Sequence, residues 1–195
     1  MVSGSLDCSI KLWDFYRAKL LRTFKSDFPI SNLCYNRFND LVAFSTSDLS
    51  ITLLNAKTGL TKVRQFDNCA QSKITDVCFS QPDQRWLLCS SLDKCIRVWD
   101  IVTGSLIDWF KFKNAPLSID FSPSGEFLAT SHINSKAVYL WSNKTFFTNM
   151  VIQKVPKAPV EIDLPDLSTT ELKKRSHQDF YDRETQEKEP TAPLQ

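Results

Sequence analysis

A short pattern returns four times along this chain, and its spacing limits the fold more than any other feature. Ser5-Leu6-Asp7-Cys8-Ser9-Ile10-Lys11-Leu12-Trp13-Asp14 aligns with Ser91-Leu92-Asp93-Lys94-Cys95-Ile96-Arg97-Val98-Trp99-Asp100. Ser47-Asp48-Leu49-Ser50-Ile51-Thr52-Leu53-Leu54-Asn55 carries the same pattern with Leu54 where the others have Trp. Asn134-Ser135-Lys136-Ala137-Val138-Tyr139-Leu140-Trp141-Ser142 is a looser fourth copy. The landmark position falls at Trp13, Leu54, Trp99 and Trp141, in steps of 41, 45 and 42 residues. A fixed period of this size means one supersecondary unit repeated, each unit covering its apolar surface with the next.

Other segments keep the same period. Ile74-Thr75-Asp76-Val77-Cys78-Phe79 matches Leu117-Ser118-Ile119-Asp120-Phe121, and each runs into a turn and then an apolar stretch. Thr58-Gly59 and Thr103-Gly104 follow the landmark, so two of the four glycines occupy one repeat position, where a positive φ is cheap for glycine. The segments are short, β-branched and aromatic, with turn signals every 8–12 residues. They read as antiparallel strands, about four to a repeat.

A period near 40–45 closed by Trp-Asp resembles the WD-repeat β-propeller. The reading is all-β: a partial propeller of about three and a half to four four-stranded blades over residues 1–156. The acidic tail 157–195 is expected to be largely disordered or weakly helical. The resemblance implies that Asp7, Asp48, Asp93 and Asn134 sit in the tight turn before each third strand and bond nearby backbone amides. It implies that Trp13, Trp99 and Trp141 pack between neighbouring blades. The Gly-His that usually precedes the first strand is missing from every repeat, so the usual hydrogen-bond network is expected to be incomplete and the blades to lean on packing. Met1 falls inside what should be a second strand. The chain therefore reads as the C-terminal half of a longer propeller, with association with a partner or a truncated gene model as the alternatives.

A narrower resemblance rests on Ser3-Gly4-Ser5-Leu6-Asp7-Cys8-Ser9-Ile10-Lys11-Leu12-Trp13-Asp14-Phe15-Tyr16-Arg17 and on the last repeat, Ala115-Pro116-Leu117-Ser118-Ile119-Asp120-Phe121-Ser122-Pro123-Ser124-Gly125-Glu126-Phe127-Leu128. These strings are similar to the tandem-propeller subunits of the small-subunit processome, the nucleolar particle that contains the U-three small nucleolar RNA. The similarity covers residues 2–155 and places them at the end of the second propeller. It implies a non-catalytic scaffold in the nucleus and nucleolus that supports ribosomal RNA processing and ribosome biogenesis. Partners would be other propeller proteins and pre-ribosomal or U-three RNA, with no cofactor, small-molecule substrate or membrane. The alternative is a generic WD-repeat adaptor such as a ubiquitin-ligase substrate receptor. Those carry Trp-Asp-x-Arg at the blade end, whereas here Arg17 comes one place late and Trp99-Asp100-Ile101-Val102 has no Arg.

Composition separates the two parts. Of 23 aromatic residues, 21 precede Pro156. Residues 1–156 carry 18 Lys and Arg against 13 Asp and Glu, while 157–195 carry 6 against 9. Only the first part can build a core, and its modest positive excess fits a local contact with nucleic acid rather than a coating role. Arg17, Lys19 and Arg22 after the first Trp-Asp, with Lys111 and Lys113 two repeats later, are the candidates for RNA or partner contact. Trp109, alternating with charge, is the candidate exposed aromatic, and Trp86 is read as core. No apolar run reaches the roughly 18 residues of a membrane span, and the N-terminus lacks a signal pattern. The six cysteines have no metal-ligand spacing and read as reduced, mostly buried thiols in an intracellular protein. No metal-ligand pattern or nucleophile–base pattern is present. His132 reads as structural, and Ser176-His177 with Asp179 is not a triad. In the tail, Val160-Glu161-Ile162-Asp163-Leu164 alternates apolar and acidic residues and reads either as an added edge strand or as disorder. Ser168-Thr169-Thr170-Glu171 fits a helix capping box, and Lys173-Lys174-Arg175 matches a short nuclear-import signal.

Overall fold

The computed structural model of the chain describes residues 1–142, 156 and 158–165. The chain divides into two compact units, Met1–Asp163 and Leu164–Gln195, and every strand described below belongs to the first. The capping box, the basic triplet and Ser176-His177 lie outside the described residues. Every regular element among the described residues is a strand.

Four antiparallel sheets follow one another in chain order. The first holds β1 (Val2–Gly4), β2 (Ser9–Asp14) and β3 (Lys19–Lys25). The second holds β4 (Ile30–Asn36), β5 (Leu41–Thr46), β6 (Ile51–Asn55) and β7 (Thr61–Phe66). The third is built from β8 (Ile74–Phe79), β9 (Trp86–Ser91), β10 (Cys95–Asp100) and β11 (Leu106–Phe112). The fourth holds β12 (Pro116–Phe121), β13 (Phe127–His132) and β14 (Val138–Ser142). Strand order within each sheet is sequential, the meander of a propeller blade. β4 packs beside β8, and β8 beside β12, so the first strands of successive blades lie side by side at the inner end. β1 packs beside β4 and is the second strand of its blade by register, pairing Val2 with Leu12.

The repeat is structural as well as sequential. The ladder shifts register at Leu12/Trp13, Leu53/Leu54 and Val98/Trp99, just before the landmark in the first three blades. It shifts again between Ile30 and Asn32, Ile74 and Asp76, and Pro116 and Ser118 on the inner strands. Such bulges raise the local twist, and the second and third blades carry both.

β15 (Val160–Ile162) adds to the third blade as a fifth strand, parallel to β11, with Phe110 opposite Val160 and Phe112 opposite Ile162. The tail's alternating segment is thus an edge strand, and the first compact unit runs on past residue 156 to include it.

Blade packing explains which residues are apolar. β5 is buried along its whole length. One face of the second blade puts Val42, Phe44 and Leu54 against Ile10 and Phe24 of the first blade and Ile30 of the inner strand. The other face puts Ala43, Ile51 and Leu53 into a cluster with Ile74, Val77, Leu87 and Cys89 of the third. Each blade is therefore apolar on two faces. Aromatic pairs mark every junction: Phe24 on Phe44 at 6.1 Å, Phe66 on Trp99 at 5.5 Å and Phe112 on Trp141 at 5.7 Å between ring centres.

The second blade shows how Leu54 stands in for Trp. The residue two places beyond the landmark's cross-strand partner is Ser3 for Trp13 and Thr130 for Trp141. For Leu54 it is Phe44. Bulk has moved from β6 to β5, and both side chains are fully buried. Leu54→Trp alone should lose about 1–3 kcal/mol through overpacking, and Phe44→Ser alone about 3–5 kcal/mol through the cavity. The double variant should recover most of that loss by recreating the Trp–Ser pair. A double-mutant cycle from urea unfolding checks this; purely additive losses would contradict it.

Candidate functional site

The turn residues act on their own backbone. Asp7 Oδ1 accepts the Ser9 amide at 2.9 Å and its hydroxyl at 2.6 Å, and these bonds hold its carboxyl below the usual carboxylate range. Burial opposes the charge on Asp48, but bonds from the Thr46 hydroxyl and from Ser50 outweigh it, so its pKa is lowered too. Asp93 takes the Cys95 amide at 3.0 Å on one oxygen and, on the other, the Gln71 amide at 2.9 Å and Arg97 at 2.8 Å. Each of these turns places a non-glycine residue at positive φ directly after the Asp: Cys8, Leu49 and Lys94. The fourth turn differs. Asn134 itself takes the positive φ, Trp141 follows one residue later than the pattern, and the capping oxygen is Ser135 Oγ, which accepts the Ala137 amide at 3.2 Å.

Two of the landmark tryptophans donate across to β1 and β13. Trp13 Nε1 donates to Ser3 Oγ at 2.9 Å, and Trp141 Nε1 to Thr130 Oγ1 at 2.9 Å. In the third blade that acceptor position holds Cys89 opposite Arg97, and Trp99 Nε1 is buried with no oxygen partner. Burial pushes the Cys89 thiol up to about 11, and it raises Cys69 and Cys78 as well. All six cysteines are free, and Cys69, Cys78, Cys89 and Cys95 are buried, where a thiolate nucleophile is suppressed.

His132 completes a chain of bonds in the fourth blade. Its Nδ1 lies 3.0 Å from the Asn114 carbonyl, and its Nε2 lies 2.9 Å from Thr130 Oγ1. A carbonyl only accepts, so Nδ1 carries the proton and Nε2 accepts from the Thr130 hydroxyl. The relay then runs from Trp141 through Thr130 and His132 to Asn114. This network stands on a strand histidine, in a repeat without the Gly-His that the resemblance led one to look for. The ring packs on Phe112 at 4.9 Å and Tyr139 at 5.5 Å.

The contact candidates lie on or beside the outer strands β3 and β11 of two different blades. Arg17, in the β2–β3 turn, and Lys19, on β3, are exposed. Arg17 stands 3.9 Å from Asp14, a loose ion pair at 84% exposure. Arg22 is exposed but lies along the next blade: a Cβ built on Gly59 would meet its Nε at 3.5 Å. Arg64 repeats this in the second blade, donating to the carbonyls of Val102 and Thr103 at 3.0 and 3.3 Å. Gly104 sits under it at φ 77°, where a Cβ would come 2.1 Å from the guanidinium. Arg64 thus clasps the following blade, a role hidden from sequence because the partner is a backbone turn. Lys111 pairs with Glu161 of β15 at 3.3 Å, while Lys113 is exposed. Trp109 is half-buried, contrary to the exposure expected from its alternation with charge. It faces Arg97 directly across the strands, and that guanidinium covers its ring at 4.8 Å. Trp86 is also half-buried.

Sequence reasoning passed over Phe15 and Tyr16, at the tip of the β2–β3 turn. They are 73% and 96% exposed, with rings 6.1 Å apart in an edge-to-face pair. Asp14 Oδ1 holds the tip by accepting the amides of Tyr16 and Arg17 at 3.0 and 3.2 Å. The matching turns read Ala56-Lys57 and Ile101-Val102, so two aromatics at this position were a legible departure from the repeat. Charge is graded in the same direction. The β2–β3 hairpin carries Lys11, Arg17, Lys19, Arg22 and Lys25 against Asp14. The β6–β7 hairpin carries Lys57, Lys62 and Arg64, and the β10–β11 hairpin balances Arg97 and Lys111 with Asp100 and Asp108. A cleft of about 80 Å³ between the first two blades, lined by Lys25, Asp27, Phe28 and Asp48 among others, is far below the roughly 300 Å³ of a small-molecule site. Among the described residues no group of three His, Cys, Asp or Glu is placed to hold a metal ion.

Successive antiparallel meander blades, an Asp-capped turn in the first three and landmark tryptophans Trp99 and Trp141 packed on the neighbouring blade define a WD-repeat β-propeller segment. Residues 1–165 match the WDR36/Utp21 second beta-propeller domain, and the chain belongs to that family. It is 36% identical over 158 residues to the U3 small nucleolar RNA-associated protein 21 of Saccharomyces cerevisiae, covering 81% of this chain and 16% of that protein. It is 34% identical over 164 residues to WD repeat-containing protein 36 of Homo sapiens, covering 83% and 18%. The U3 small nucleolar RNA-associated protein 21 homolog of Schizosaccharomyces pombe is 32% identical over 169 residues, covering 86% and 18%. The chain therefore spans less than a fifth of the length of these relatives.

The His132 relay makes a pH prediction. Burial lowers its pKa below the ordinary 6.5, with the Asn114 bond opposing in part. The unfolded chain then binds the proton more readily, so stability rises with pH across that window. The contribution is complete above about 6.5 and is lost as pH falls toward the folded pKa. Urea midpoints measured between pH 7 and 5 should fall in the wild type, and the fall should be shallower in His132→Gln. Parallel curves would show that His132 is not the titrating group.

Proposed function

We propose that this chain is part of a non-catalytic scaffold in a nucleolar ribonucleoprotein that supports small-subunit ribosomal RNA processing and ribosome biogenesis. Its relatives are named for association with the U3 small nucleolar RNA. Its partners are other propeller proteins of that particle and pre-ribosomal or U3 RNA, and it acts in the nucleus and nucleolus. A propeller suits this role because its strands hold loops rigidly on two faces and a rim, where several partners can bind at once.

The observation that carries the reading is the first blade's β2–β3 hairpin. It places two exposed aromatic rings beside Arg17 and Lys19 on the most basic of the three complete hairpins. Exposed rings offer base stacking, and the cations offer phosphate contact. The turn is braced by Asp14, so it presents these groups without first having to order itself. Arg22, exposed on the same hairpin, lies along the Gly59 turn of the next blade.

Tyr16→Ala combined with Arg17→Glu and Lys19→Glu should reduce co-sedimentation with pre-ribosomal particles at least tenfold, while the melting temperature stays within a few degrees. Recovery of U3 RNA with the tagged protein should fall in parallel. Unchanged co-sedimentation of a folded triple variant would overturn the assignment of this surface.

A further inference from the structure

The outer edge of the third blade is only partly filled. β11 offers seven residues, Leu106–Phe112, and β15 pairs with Phe110, Lys111 and Phe112 alone. Among the described residues no strand lies beside the stretch from Leu106 to Trp109 on that edge. β15 stops short for a chemical reason: Pro159 precedes it, and proline has no amide to donate to a ladder. What holds β15 is slight. Val160 is 56% exposed, and the Lys111–Glu161 ion pair is exposed on both sides, a kind worth little by itself.

We propose that this edge is a strand-acceptor site for an extended segment of a partner polypeptide with an acidic residue between two apolar ones. β15 occupies the site in cis. The chemistry of the occupant is set by what the edge displays. Phe112 is buried and Phe110 half-buried, so apolar residues belong opposite them, and Lys111 between them takes a carboxylate. Val160-Glu161-Ile162 is that pattern. A partner strand free of the upstream proline pairs further along β11, to Leu106, and gains main-chain bonds that β15 cannot make. This compensates for the advantage of the tethered segment, whose effective concentration is on the order of millimolar.

The test uses two labelled peptides and the whole chain. One peptide copies residues 156–165, and the other carries Pro156→Thr and Pro159→Thr. The chain is used as wild type and with Val160→Pro and Ile162→Pro, which keep β15 from pairing. Fluorescence anisotropy should show the first peptide binding only the proline variant. The threonine peptide should bind both proteins, at least tenfold more tightly to the proline variant. Lys111→Glu should weaken binding three- to tenfold, and a peptide with Glu161→Lys should restore it. Failure of both peptides to bind a proline variant with native circular dichroism would overturn the proposal, as would binding indifferent to Lys111→Glu. If the proline variant does not fold, the threonine peptide decides against the wild type alone: binding that depends on Lys111 supports the site, and no binding overturns it.

Discussion

Each blade of this chain is apolar on both faces, and only a blade on either side can cover it. The second blade shows the constraint most plainly: Val42 and Phe44 look one way, Ala43 and Leu53 the other, and all are buried. An isolated four-stranded sheet of this composition would expose one apolar face whichever way it turned. The stacking that solves this problem fixes everything else. It sets the outer strands on the rim, the turns on two faces, and the inner strands side by side. Aromatic contacts at each junction, such as Phe66 on Trp99, supply large buried area and add about 0.5–1.5 kcal/mol each beyond it.

Polar groups inside this stack that find partners do so by local substitution rather than by one repeated network, and Trp99 Nε1 finds none. Trp13 finds Ser3 and Trp141 finds Thr130, while the Leu54 position needs no acceptor and is faced by Phe44. His132 extends the Trp141 relay to a backbone carbonyl. Arg97 is buried between the Asp93 carboxylate and the Trp109 face. A buried ion pair adds little net stability, but removing one partner is costly because the other is left uncompensated. Blades of one chain can therefore share a backbone while differing in how each interior is satisfied.

Strands, turns and blade boundaries were legible because they follow from period and alternation. The landmark at Trp99 and the turn at Asp93 are local facts, and local facts survive in sequence. What stayed hidden depends on neighbours one blade away. Arg64 reaches a turn about 40 residues on, so nothing near it in sequence marks it as a clasp. Trp109 looked exposed by alternation, but its cross-strand neighbour is an arginine whose charge is already buried with Asp93. Asn134 aligned by residue type, yet its turn is one residue longer, and Ser135 does the capping. The candidate contact surface was half legible. Arg17 and Lys19 stood out as charge, while Phe15 and Tyr16 passed unnoticed because aromatics elsewhere in the chain are mostly core.

On the proposed function, the first blade's rim is the contact surface and the exposed Phe15–Tyr16 turn is its centre, while the third blade's outer edge is given to strand pairing. Ultraviolet cross-linking of pre-ribosomal particles, followed by mass spectrometry of RNA-linked peptides, tests this most directly. Peptides spanning Phe15 to Lys19 should carry RNA adducts, and those from β11 should not. Adducts confined to other blades, in particles that retain the protein, would contradict it.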